Sequence, residues 1–199
     1  MNNNFDKFKK IIQSNIDYYI INNKYEKKSS GCFNELLNKD RANVISEQSV
    51  NIKMGNVLEK SFKDFLIETD QVLVDERSKI NHVQIDLLFL YKDIIYYFEV
   101  KNNINLDTEK SKTTLNKIKK IEDFLKKESP KKQVVSKILN SRYSGYDVEI
   151  LNFIKKPLSI DDIYGYQKFF EIFDISVKQE EWESFFGQIG SYIYLEKEN

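Results

Sequence analysis

Asp86, Glu99 and Lys101 are residue types that, brought together, can do chemistry on a phosphate. They lie in the segment Gln84-Ile85-Asp86 to Glu99-Val100-Lys101, which is otherwise strongly apolar. Charged residues are unusual inside such apolar stretches. A turn at Lys92-Asp93 puts Tyr91 opposite Ile94, Asp86 opposite Glu99 and Gln84 opposite Lys101. Directly opposed side chains share a face of the sheet. Two carboxylates that close repel each other unless a cation or a proton sits between them. Their hard oxygens suit Mg²⁺, which binds through one or two carboxylates, water and substrate phosphates. A neighbouring Lys can orient or deprotonate a water, or neutralise charge developing on a phosphate. The same spacing also fits a buried structural ion pair of Lys101 with Asp86 or Glu99. The bare pattern acid-x-Lys is cheap, since Glu26-Lys27-Lys28 matches it too.

The elements that must position these residues can be read from periodicity. Residues 4–28 read as a helix, with Phe5, Phe8, Ile11, Ile12, Asn15, Tyr18 and Tyr19 at helical spacing. Residues 29–52 read as mostly irregular, with a short helix near Phe33–Leu37. A second helix is expected over 54–68, burying Leu58, Phe62, Phe65 and Leu66. Val72-Leu73-Val74 starts a strand. Val83–Tyr91 and Ile94–Lys101 are two more, apolar on both faces as central strands are. A long helix follows over 107–127, capped by Asp107 or Thr108 and ended by Pro130. Val148–Ile154 reads as a fourth strand. The tail, 159–197, reads as a helical extension whose stripe of Trp182, Phe185, Phe186, Ile189, Tyr192 and Ile193 is core or a dimer face. The expectation is a single domain over 1–199, an α/β fold with a mixed central sheet and extra helices at both ends.

The chain has 199 residues, and its 31 basic side chains balance its 31 acidic ones. A composition 41% hydrophobic and 14% aromatic excludes global disorder. Zero net charge excludes a histone-like blanket of positive charge and leaves room for a local polyanion face. The charge is uneven. Residues 101–137 hold eleven Lys against five acids, and residues 159–199 hold three Lys against nine. The functional reading is a polyanion-facing middle with a solvating tail; the plain one is two solvated helix faces. A single Cys, Cys32, makes no internal disulfide and no Cys-based zinc site. With no apolar signal segment at the start and no run long enough to span a bilayer, the expectation is a cytoplasmic protein with no membrane partner.

Around Asp86, Glu99-Val100-Lys101 and the order helix, three strands, helix, strand, the chain resembles the PD-(D/E)XK nuclease superfamily, especially type II restriction endonucleases. The resemblance covers residues 54–154. Ile85 stands where the family often has Pro. The resemblance implies a restriction-endonuclease-like core and Mg²⁺-dependent hydrolysis of double-stranded DNA to 5′-phosphate and 3′-hydroxyl ends. It implies that Asp86, Glu99 and the Val100 carbonyl hold the metal and that Lys101 positions the attacking water. Glu59 stands where many members add a Glu from the first core helix; its other reading is a surface partner of Lys63. A palindromic target implies a homodimer, and a restriction system implies a cognate DNA methyltransferase. Asn102, Asn103 and Asn105 at the mouth of the site, Lys110, Lys112 and Lys117 on the next helix, and Arg142 in a Tyr-rich loop are candidate DNA contacts. His82 reads as sharing a face with Gln84 and Asp86, more as a polar strand end than as a catalyst. The alternatives are a structure-specific repair or recombination nuclease of the same fold, resembling a junction resolvase, and a non-catalytic DNA-binding module.

Overall fold

The computed structural model describes residues 3–21, 47–102, 106–146, 154 and 156–198. It is an α/β fold with a mixed five-stranded central sheet flanked by helices. Helix α1 (Asn3–Ile16) runs on into a wider π-type turn at Asp17–Ile21, and α2 spans Glu47–Ile67. Strands β1 (Leu73–Val74), β2 (Lys79–Ile80), β3 (Val83–Gln84), β4 (Leu87–Tyr91) and β5 (Ile94–Lys101) follow. Then come α3 (Thr108–Glu128), β6 (Gln133–Asn140), β7 (Ile163–Gly165), α4 (Tyr166–Glu171) and α5 (Gln179–Glu198).

The sheet order is β1-β4-β5-β6-β7. β1, β4 and β5 are antiparallel neighbours, and β5, β6 and β7 run parallel. The hairpin turns at Lys92-Asp93 as expected: Tyr91 pairs with Ile94, and both turn residues have positive φ. That left-handed pair is the tight two-residue turn whose twist suits a hairpin. Parallel strands need a crossover, and α3 supplies it. Asp107 caps the start of α3, its carboxylate accepting the Lys110 N–H at 2.8 Å.

Alternation along β5 sorts the core into two faces. Phe98 and Val100 join Leu87 and Phe89 in a layer with α1, α2, α4 and α5. Its centre is aromatic: the ring centroid of Phe8 lies 4.9 Å from that of Phe170 and 5.2 Å from Phe62. Trp182 belongs to this layer, stacked on Tyr166 at 4.1 Å. Tyr97 faces the other way, with Leu88 and Ile138, toward Ile118, Ile121 and Leu125 of α3.

Several sequence expectations need correction. Val83–Tyr91 is not one strand. Asn81 and His82 both take positive φ, and Val83-Gln84 turns back to pair with Lys79-Ile80 in a separate two-stranded ribbon. Gln84 therefore pairs with Lys79, not Lys101, and His82 is an exposed turn residue that shares no strand face with Asp86. A strand at Gln133–Asn140 was not anticipated, although its β-branched run after the Pro130 break is a strand signal. Most of the expected strand at Val148–Ile154, and the short helix near Phe33–Leu37, lie outside the described residues. Ser159 does open a capping box with Asp162, but only one 3₁₀ turn follows before the chain enters β7, so the tail is not purely helical.

Among the described residues no helix is long and apolar enough to cross a membrane.

Candidate active site

The candidate site is built on the carboxyl end of β5. Tyr97, Glu99 and Lys101 alternate onto the face that α3 covers. Glu99 is buried, and each of its oxygens is engaged. Lys101 Nζ donates to Oε1 at 2.6 Å, and the Tyr97 hydroxyl donates to Oε2 at 3.0 Å. Lys117, from the third turn of α3, forms an ion pair with Oε2.

Asp86 reaches the same place by another route. The β4–β5 ladder ends at Leu87–Phe98, so Asp86 lies one residue outside the strand. Its Oδ2 accepts the Val100 N–H at 2.9 Å, where a further β4 carbonyl would otherwise pair. The acid thus holds the end of β5 in position as well as bringing its charge to Glu99. Lys117 Nζ lies 3.5 Å from the other oxygen, Oδ1. A residue's N–H and C=O leave a strand on the same edge, so the Val100 carbonyl also faces the end where Asp86 stands.

The two acids differ electrostatically. Burial and the Glu99 charge push Asp86 up to about 6, against the pull of Lys117. Burial also opposes charge on Glu99, but the ammoniums of Lys101 and Lys117 outweigh it and hold the carboxyl below its ordinary value. The Tyr97 hydroxyl is pushed far up by burial and by the Glu99 and Asp86 charges, so it stays a donor. Glu59 on α2 is half-buried and raised, first by its burial and then by the Glu99 charge. It is within electrostatic reach of the cluster. Among the described residues neither the cluster nor Lys63 forms an ion pair or hydrogen bond with it.

Asn140 ties the site to the neighbouring strand. It is fully buried at the end of β6; its amide donates to the Lys101 carbonyl at 2.8 Å, and its carbonyl accepts the N–H groups of Arg142 and Tyr143. Ser141 Oγ donates to Asn102 Oδ1 at 3.2 Å. Gly55 keeps α2 close: a Cβ there would lie 3.3 Å from the Asn102 amide nitrogen. Gly165 is obligatory for packing, because a Cβ would lie 2.2 Å from the Tyr143 carbonyl oxygen.

The structure therefore brings together Asp86, Glu99, Val100, Lys101 and Lys117. Asn102, next in the chain after Lys101, and the exposed Arg142 line a separate cleft of about 620 Å³ with Met54, Leu58, Trp182 and Phe186, a lining that includes none of the four charged residues. Lys110 is exposed and paired with Asp107 within its own turn, and Lys112 is exposed on α3, so neither touches the carboxylates. Asn103 and Asn105 lie outside the described residues. Sequence reasoning missed Tyr97 and Asn140 and placed Lys117 among general phosphate contacts. Tyr97 was findable by alternation from Glu99. Asn140 needed the strand that was not anticipated.

The donor set fits Mg²⁺. One ammonium already contacts an oxygen of each acid, so both acids present oxygens to a common cation position. Among the described residues no three acidic, His or Cys side chains gather into a closed metal cage. Two carboxylates and a carbonyl form an open set, completed for Mg²⁺ by water and phosphate oxygens. No family model, no curated protein and no solved structure matches this chain.

Proposed function

We propose that the protein is a Mg²⁺-dependent, sequence-specific endonuclease of double-stranded DNA, of the type II restriction class, with a restriction-endonuclease-like core. The observation that carries this reading is the convergence of Asp86, Glu99 and Lys101 at the carboxyl end of a central strand. The element order supports it too: a helix, an antiparallel three-strand meander, a crossover helix and a parallel strand.

In this reading Asp86, Glu99 and the Val100 carbonyl hold Mg²⁺. The ion, when bound, supplies Lewis acidity toward the phosphate and lowers the pKa of a coordinated water. Each residue of the chain then has its own task. Asp86 must be ionised, which the site permits above about pH 6. Glu99 stays ionised because its lysines hold its pKa low. Lys101 keeps 30% of its side chain exposed, and in this reading its ammonium orients the attacking water and faces the charge growing on the phosphate. Asn140 fixes the strand end that carries Lys101. Asn102, next in the chain after Lys101, and Arg142, two residues beyond the Asn140 anchor, are in this reading the candidates for flanking phosphates or base edges.

Incubating the protein with a large unmethylated DNA, with Mg²⁺ or EDTA, tests this. Discrete bands that need Mg²⁺, and that are lost with Glu99→Gln, are expected. Cleavage only of branched DNA would replace the restriction reading by a structure-specific nuclease. One observation favours a second reading, a non-catalytic DNA-binding module: Lys101 and Lys117 between them pair with both acids, which is also what a structural ion network does. DNA binding with no cleavage of any DNA form in Mg²⁺ or Mn²⁺ would support it.

A further inference from the structure

Lys117 has a different place in the cluster from Lys101. Among the described residues the Lys101 ammonium forms an ion pair with Glu99, through Oε1. Lys117 spans the pair, 3.5 Å from Asp86 Oδ1 and ion-paired with Glu99 Oε2. It comes from α3, a different element from the strand that carries Glu99 and Lys101. Its side chain is 20% exposed, against 9% for Asp86 and 5% for Glu99, so it is the most solvent-accessible of the three. A divalent cation that takes Asp86 Oδ1 and Glu99 Oε2 competes with this ammonium for the same oxygens.

We propose that Lys117 is a tethered counter-cation that shares its seat with the divalent metal, holding Asp86 and Glu99 together without metal and yielding when metal binds. The inference rests on reading Asp86 and Glu99 as metal ligands. Two carboxylates beside two ammoniums leave the cluster with little net charge of its own. A divalent ion arriving while Lys117 stays on its flexible stem nearby turns that balance positive, which favours a phosphodiester at the same place. Lys117 is a positioning residue in this scheme. It competes for the metal's ligands and, once displaced, becomes available to a DNA phosphate.

The test uses Mn²⁺ binding to the whole protein, read by electron paramagnetic resonance or calorimetry without DNA. Lys117→Met is expected to bind Mn²⁺ about tenfold more tightly than the wild type, a modest share of a close-contact charge interaction. Lys101→Met removes the same charge from Glu99 without freeing a bridging position and is expected to tighten binding clearly less. Equal or weaker binding by Lys117→Met, or equal tightening by both variants, overturns the proposal.

A second measurement needs no variant. Amine labelling read by peptide mass spectrometry is expected to show slow modification of Lys117 in EDTA and several-fold faster modification in Ca²⁺, with exposed Lys110 unchanged. An unchanged Lys117 rate overturns the proposal even if Lys117→Met does not fold. The two readings fail separately. If Glu99→Gln and Asp86→Asn bind Mn²⁺ as the wild type does, the metal-site assignment falls and this inference with it. If those variants lose Mn²⁺ and the wild type cleaves DNA while Lys117 makes no difference, only this inference falls.

Discussion

The two faces of β5 carry different chemistry on one strand. Phe98 and Val100 point into a layer of rings from four helices, where Phe5, Phe8, Phe62, Phe169 and Phe170 are completely buried. Tyr97, Glu99 and Lys101 point toward α3, where two acids and two lysines meet at the strand end. The first face is apolar and directionless; a ring there is replaced by another ring at small cost. On the second, every oxygen of Glu99 has a named partner, and removing one partner leaves a buried charge exposed to its neighbours. The dry face can therefore hold the sheet together while the other face stores charge. Changes on the two faces should separate stability from chemistry.

The sharpest way to break this comparison is to neutralise the charged face. Glu99→Gln and Lys101→Met should each lower Mg²⁺-dependent cleavage on the order of 10³-fold, as losses of groups that meet developing charge do. Cleavage rates on a fixed duplex, beside thermal unfolding of each variant, check this. Retained activity in either folded variant would return the cluster to a structural ion network.

The opposite change belongs to the aromatic face. Phe62 is completely buried, with ring centroids 5.2 Å from Phe8 and 4.9 Å from Phe169. Phe62→Ala should cost about 3–5 kcal/mol of stability in urea titration. Leu73→Ala, at an exposed strand position, should stay within about 0.5 kcal/mol. A small loss at Phe62 would mean that the ring layer is not what holds the sheet.

The two faces were not equally legible from the sequence. The buried stripe Leu58, Phe62, Phe65, Leu66 and the turn at Lys92-Asp93 follow from local periodicity and turn chemistry, and the structure has both. Asp86 and Glu99 were matched by extending the hairpin register. They do meet, but through a side-chain cap on Val100 rather than a ladder position, because the Asn81-His82 turn pulls the preceding residues into another ribbon. Lys117 lies 16 residues beyond Lys101 on a helix rich in Lys, and nothing local distinguishes the one that turns inward. Its role depends on how the crossover helix lies on the sheet. Asn140 was hidden for the same kind of reason, its partners being set by the parallel register of β6 on β5.

Asp86→Asn separates the two faces more finely. Asp86 ionises near 6 in the folded protein, against an ordinary value of 3.8. Well below pH 3.8 the acid is protonated in both folded and unfolded chains and the charge costs nothing. As pH rises from about 4 to 6, the unfolded chain releases the proton first, so the wild type loses stability, by up to about 3 kcal/mol. Asn keeps an oxygen for the Val100 N–H and never ionises. Asp86→Asn should therefore be more stable than the wild type at pH 8, and the difference should close as pH falls toward 4. Chemical denaturation at several pH values measures it. The same variant should not cleave, so one substitution would raise stability and remove activity.

The smallest effect is expected at the cleft near the strand end, apart from the four charged residues. Arg142 is exposed beside Asn102 and Ser141 at the cleft, and its own N–H is held by the Asn140 side chain. The guanidinium is thus carried on a fixed loop without contributing to either core layer. Arg142→Ala should leave stability within about 0.5 kcal/mol. If the guanidinium meets a phosphate, DNA binding in Ca²⁺ should weaken similarly on all sequences, and the salt dependence should drop by about one ion. If it reads a base edge, the loss should be about 1–3 kcal/mol and confined to the preferred site. Binding titrations at several salt concentrations, on cognate and scrambled duplexes, distinguish the two. No change on either duplex would confine recognition to other parts of the chain and leave this end of the cleft as ordinary surface.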